Sequence, residues 1–197
     1  MLGIPVPILH SGLPEPVRTR HGWYRAVPQV CAVGEISMLG AEVGSSGHGR
    51  PSAWRAFDAW SLCVILDGQG TYRDAAGAAV AISPGSVLCF RPRLGHAYQP
   101  DPGSSFAAYF VIARGPLCEW WHDRGLWPAR PVVAVDPRPF VRDLQAAAEG
   151  HHQGPDPALS RLSAFLGLAA RLAGTRPSAS AWLDEARAVL LATPPGR

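Results

Sequence analysis

At 197 residues, nearly half of them apolar and 17% charged, the chain can bury one core of ordinary domain size and is too apolar for wholesale disorder. All 18 basic residues are arginine, and a net charge of +3 is too small to argue for a nucleic-acid surface. No apolar run of about eighteen residues offers a spanning helix. The opening MLGIPVPILHSGLPEP lacks the basic start of a signal peptide, and Cys31, Cys63, Cys89 and Cys118 share no CxxC spacing, which suits reduced cysteines of a cytoplasmic protein.

In chain order, residues 1–28 carry five prolines and little periodicity, and read as an irregular arm. VCAVGEISMLGAEV, residues 30–43, is β-like, and GSSGHGRPSA, residues 44–53, has the composition of a loop. AWSLCVILDGQGTYRD predicts a strand over about 59–66, a Gly-Gln-Gly turn and a return strand near 70–74. AAVAIS, SVLCFR, HAYQ and SSFAAYFVIAR follow, separated by Gly- or Pro-bearing turns. Short strands at such even spacing predict an antiparallel sandwich or barrel. After Gly115 the pattern changes. Pro116 opens a short helix in PLCEWWHDRGLW, and PVVAV is one more strand. Asp136-Pro137 and Asp156-Pro157 each set a capping residue before a proline at the first helical position. The second helix, over 157–174, repeats Leu159, Leu162, Phe165, Leu166, Ala169 and Leu172 at intervals of three and four. Ser178 or Ser180 is placed to cap a last helix in AWLDEARAVLLAT. The expected fold class is α+β, with an antiparallel β-barrel over 29–135, a helical hairpin over 136–175 and a terminal segment over 176–197.

The order ILDGQGTY, AISPGSVLCFRPRLGHAY, aromatic strand and helices resembles the small barrel called the cupin. It is closer to the effector-binding and dimerisation domain of AraC-type transcription regulators, and the resemblance spans about residues 28–175. Its elements here are Arg50-Pro51, the strand from Leu62 to Gly70, Pro84-Gly85, His96 to Tyr98, Phe106 to Phe110 and the helices after Asp136. The resemblance implies a double-stranded β-helix (jelly roll). It further implies a small-molecule effector inside the barrel, a homodimer through the C-terminal helices, and DNA binding through a separate helix-turn-helix domain, absent from this chain. AWLDEARAVLLATPPGR is similar to the entry into such a domain.

A metal-binding cupin needs several ligands from neighbouring strands. Counting back from Gly68, the first pair falls near Arg55 and Phe57 and the carboxylate near Ser61, and none is the expected ligand. His96 alone remains, and one imidazole does not hold a metal. His48, His122, His151 and His152 show no ligand spacing, and there is no GxSxG elbow, P-loop or Rossmann glycine pattern. The expectation is therefore no enzyme, no catalytic residue, no metal and no cofactor. A cupin isomerase or dioxygenase and a stand-alone small-molecule-binding cupin remain the alternatives.

His96 is a polar group aimed at a barrel interior, either tied to backbone or in contact with a ligand. The resemblance sets Tyr98 where the family's tyrosine touches its effector, and alternation puts Tyr98 on the face of His96. Ser61, Cys63 and Ile65 share a face of another strand, and Tyr109 is a candidate inward aromatic. Arg50 matches the family's pocket arginine, with Arg55 the competing assignment. Trp120 and Trp121 are expected to seal sheet against helix. The apolar face of the 157–174 helix either covers the barrel or, as in AraC-type domains, forms a dimer interface through Leu159, Leu162, Leu166 and Ala169.

Overall fold

The computed structural model describes residues 17–19, 22–27, 30–45, 54–150 and 156–174. Arg50 and the helix expected after Ser178 lie outside the described residues.

Eleven strands are described, β1 Val17–Thr19, β2 Gly22–Ala26, β3 Val30–Cys31, β4 Gly34–Ser45, β5 Trp60–Asp67, β6 Gly70–Asp74, β7 Ala79–Ile82, β8 Ser86–Phe90, β9 His96–Pro100, β10 Ser105–Arg114 and β11 Val132–Ala134. Helix α1, Pro116–Asp123, precedes β11, and α2, Pro137–Glu149, and α3, Pro157–Leu172, follow it. The expected strands from 59 onward and all three expected helix starts in this range are present. Asp136 accepts from the Arg138 amide at 3.1 Å, and Asp156 from the Leu159 amide at 3.0 Å. At the expected Pro-Gly turn, Gly85 sits at φ 90°, which an L side chain rarely adopts.

One large antiparallel sheet runs β1-β2-β4-β10-β5-β8-β11, with β3 also on β4, and a small one runs β7-β6-β9. Among the described residues the two sheets share no strand pairing, so the expected closed barrel is instead a pair of sheets. Strands β1 and β2 also correct the expected irregular arm. Val17 pairs with Tyr24 and Trp23 with Ala41, so backbone hydrogen bonding to β4 overrides the prolines around them.

The large sheet is buried on both faces, which is why β5 and β10 read as continuous apolar runs. Its inner face meets the small sheet in a core of Cys63, Ile65, Tyr72, Ile82, Leu88, Phe90, Phe106 and Ala108. Its outer face carries a larger core in which Leu39, Leu62, Val64, Val111 and Trp121 pack with Leu144, Leu162, Phe165 and Leu166 of the helices. Trp121 seals sheet against helix as expected, and Trp120 lies at the edge of that core under the Arg124 guanidinium. Helices α2 and α3 pack on each other, and α3 also lies on β3 and β4. The turn that would make them a hairpin, residues 151–155, lies outside the described residues.

That packing corrects the expected dimer interface. Leu162, Leu166 and Ala169 are each 0% exposed within the single chain, and Leu159 is half-buried against the same core. The helix spends its apolar face on its own sheet, and nothing of those three side chains remains for a second copy.

Candidate functional site

Strand β9 carries the site. Its Tyr98 faces Tyr72 and its His96 faces Asp74 in the register with β6, and both rings turn toward the inner core. The preceding segment is tied to the same place. Arg55 and His96 exchange two backbone hydrogen bonds, of 3.0 and 2.9 Å, and the Arg93 amide donates to the Phe57 carbonyl at 2.7 Å. Arg55 and Phe57 thereby stand next to His96.

His96 is 1% exposed and enclosed by rings. Phe90 lies 4.3 Å from its centroid, Phe57 5.0 Å and Tyr72, stacked, 6.5 Å. Its Nδ1 is 3.0 Å from the Leu94 carbonyl, while Nε2 is buried with no hydrogen-bond partner. Burial pushes the imidazole pKa down, with Arg55 adding to the effect, against opposing contributions from the Leu94 hydrogen bond and Asp74. Neutral imidazole with the hydrogen on Nδ1 fits all of this.

Tyr98 donates its hydroxyl to Glu42 Oε1 at 2.8 Å, and the Arg55 guanidinium lies 4.6 Å from the Tyr98 ring centroid. Burial first, then neighbouring Cys63 and Glu42, hold the Tyr98 hydroxyl protonated well above its ordinary range. Arg55 also stands 5.5 Å from the Phe57 ring and is itself exposed, a cation at the rim of an aromatic interior. Two glycines admit further rings of the inner core, those of Phe110 and Phe106. A Cβ on Gly40 would come 2.9 Å from Phe110 Cζ, and one on Gly70 2.6 Å from Phe106 Cζ.

Of the expected site residues, Cys63, Ile65, His96 and Tyr98 gather on the inner core. Ser61 is buried opposite Phe90 in the β5–β8 register, on the same wall. Tyr109 does not join them. It lies on the outer face, 6.3 Å from Trp23, and donates to Glu149 Oε1 at 2.9 Å, with Arg25 Nη1 3.6 Å from Glu149 Oε2. Because β10 is apolar on both faces, its pattern does not say which parity points inward. Phe106, Ala108 and Phe110 do. Of the two arginines weighed, Arg55 stands against Tyr98, and Arg50 lies outside the described residues.

Nothing local marks Glu42 as a site residue, because its partner is 56 residues away. Phe57 stands in the sequence only where a metal ligand would fall, and Tyr72 and Phe90 read as isolated aromatics. The alternation with His96 and Tyr98 across the β6–β9 register was the available signal for Tyr72. The positions where a metal cupin keeps its first ligand pair, Arg55 and Phe57, do lie beside His96, but they present a cation and a phenyl ring. Among the described residues no three His, Cys, Asp or Glu side chains converge as a metal site.

A family model described as the AraC-like ligand binding domain matches residues 35–184. The chain belongs to that family. The matched span takes in both sheets from β4 onward, all three helices and every residue of the wall just described. No curated protein sequence matches this AraC-like domain. Among solved structures it is similar to YhaK from Escherichia coli, at 20% identity over 48% of this chain and 44% of that one, TM-score 0.39. An RmlC-like cupin family protein from Methanocaldococcus jannaschii is 11% identical over 54% of this chain and 94% of its own, TM-score 0.39. The bacterial pirin YhhW from Escherichia coli, in complex with nickel(II), is 11% identical over 54% of this chain and 52% of its own, TM-score 0.38. The AraC-like domain thus spans less than half of YhaK, and the family assignment rests on the sequence model alone.

Proposed function

We propose that this AraC-like domain is the effector-sensing part of a transcription regulator, holding a small molecule against the wall formed by Arg55, His96, Tyr98 and Phe90. The observation that carries the reading is His96 Nε2, a buried polar atom with no partner, set among aromatic rings. A mostly apolar lining with a few convergent polar groups is what small-molecule sites offer. The reading assigns binding without catalysis; among the described residues no three His, Cys, Asp or Glu side chains converge to hold a metal. It places the protein in the cytoplasm and gives DNA contact to a separate domain. It also carries a homodimer, through a surface other than the buried face of α3. No helix of the described residues is long and apolar enough to cross a membrane.

A ligand acts on such a module only through unequal affinity for two of its states. Effector binding at this wall is expected to reorder the 55–58 segment, which the Arg55–His96 backbone pair joins to β9.

The test is a thermal-shift screen of small aromatic and polar compounds followed by calorimetry with the parent chain and Arg55→Ala. Because Arg55 is exposed, the variant is expected to keep its melting temperature and to bind an acidic or polar hit about tenfold more weakly. A hit bound equally by both chains, with unmoved His96 and Tyr98 resonances, refutes the assignment.

A further inference from the structure

Two polar groups of the site, the His96 imidazole and the Tyr98 hydroxyl, each have their hydrogen already committed. Leu94 O can only accept, so His96 Nδ1 carries the ring hydrogen and Nε2 presents a bare lone pair. Tyr98 has one hydrogen and gives it to a carboxylate oxygen of Glu42, an acceptor stronger than a neutral group, so Oη also presents only lone pairs. Neither can therefore satisfy the other. The lowered imidazole pKa keeps Nε2 unprotonated at neutral pH, and the raised phenol pKa keeps the Tyr98 hydrogen in place. Around the imidazole stand the rings of Phe90, Phe57 and Tyr72, an apolar surrounding that suits a flat apolar body.

We infer that the ligand of this site is a hydrogen-bond donor: an aromatic or similarly apolar molecule whose hydroxyl or N–H points at His96 Nε2. Glu42 is the positioning residue that makes the wall selective, because it stops the Tyr98 hydroxyl from serving as the donor itself. The inference rests on the effector-binding reading above and adds the chemical class of the effector.

The experiment uses two pairs of probes that differ only in the donor: phenol with anisole, and indole with N-methylindole. Long-range proton–nitrogen spectra of the chain labelled at histidine give the His96 tautomer, and calorimetry gives the affinities. The expected result is an Nδ1–H tautomer in the free protein and an Nε2 resonance that moves on adding phenol or indole. Each donor probe is expected to bind on the order of tenfold more tightly than its methylated partner. His96→Phe should erase that preference while keeping the ring packing. Glu42→Gln should narrow it, because a carboxamide N–H can donate to Tyr98 Oη and release its hydroxyl toward the ligand. An Nε2–H tautomer, or equal binding within each pair at this wall, overturns the donor inference and leaves the effector reading standing. No movement of the His96 and Tyr98 signals with any of the four probes overturns both.

Discussion

His96 is a buried histidine whose burial lowers its pKa, and that sign has a consequence for stability. In the unfolded chain an imidazole titrates near pH 6.5. Between that value and the lower folded one, the unfolded state takes up a proton that the folded state refuses. Stability therefore rises with pH across the window, and is lost as pH falls from about 6.5 toward the folded pKa. Urea midpoints between about pH 7 and about pH 5 measure the slope. His96→Phe should flatten it, since it removes the group whose pKa burial lowers. Equal slopes would mean that the imidazole is not held neutral. The Glu149 carboxyl behaves in the opposite sense. Its pKa is raised by burial, partly offset by the Tyr109 hydrogen bond and Arg25, so its contribution to stability weakens as pH rises through the folded pKa.

At the scale of elements, α3 decides between two readings that its sequence left level. A stripe of Leu162, Phe165, Leu166 and Ala169 serves equally well against the chain's own sheet or against another copy. The structure commits it to β3, β4 and α2. Leu162→Ala is then expected to cost about 2–5 kcal/mol of folding stability, through lost burial and the cavity left behind. Leu162→Asp with Leu166→Asp should unfold the domain outright, because each would bury an unpaired charge. Circular dichroism together with sedimentation velocity checks this. A folded monomer from the double variant, made from a dimeric parent, would show that the helix is an interface after all. Strand β2 carries a related lesson. Trp23 packs against the outer core and Arg25 is buried beside Glu149, so the segment is held by tertiary partners far along the chain.

For the whole molecule, the two cores lie on opposite faces of one sheet, and strands β5, β8 and β10 supply side chains to both. Neither can come apart without exposing the other. The domain should therefore unfold in a single transition. Tryptophan fluorescence reports the outer core, where Trp60, Trp121 and Trp127 are buried, and far-UV circular dichroism reports the whole chain. Coincident urea curves are expected; an earlier fluorescence transition would mean that the helical layer peels away while the sheets persist. A ligand that fills the inner core should move both curves together, by about 2.7 kcal/mol at a hundredfold excess over its dissociation constant.

Much of this was legible in the residues themselves. Gly- and Pro-bearing turns punctuate the strands from 59 onward because those positions need backbone conformations that few residues adopt, and Asp-Pro pairs mark α2 and α3 because capping is a local transaction between neighbours. The pairing of His96 with Tyr98 followed from alternation along one strand. What local pattern could not decide was parity and partnership. A strand apolar on both faces does not declare its inward side, so Tyr109 was set inside when it bonds Glu149 on the outside, and Phe110 took the place expected of it. Glu42 met Tyr98 only when β4 and β9 were brought together from 56 residues apart. The opening segment, with its prolines and little periodicity, carries no local sign of a strand, and β2 exists because β4 offers it a ladder to pair with. Hydrogen bonds along the chain are written into neighbouring residues, whereas burial and polar pairing across sheets depend on where the whole fold carries each face.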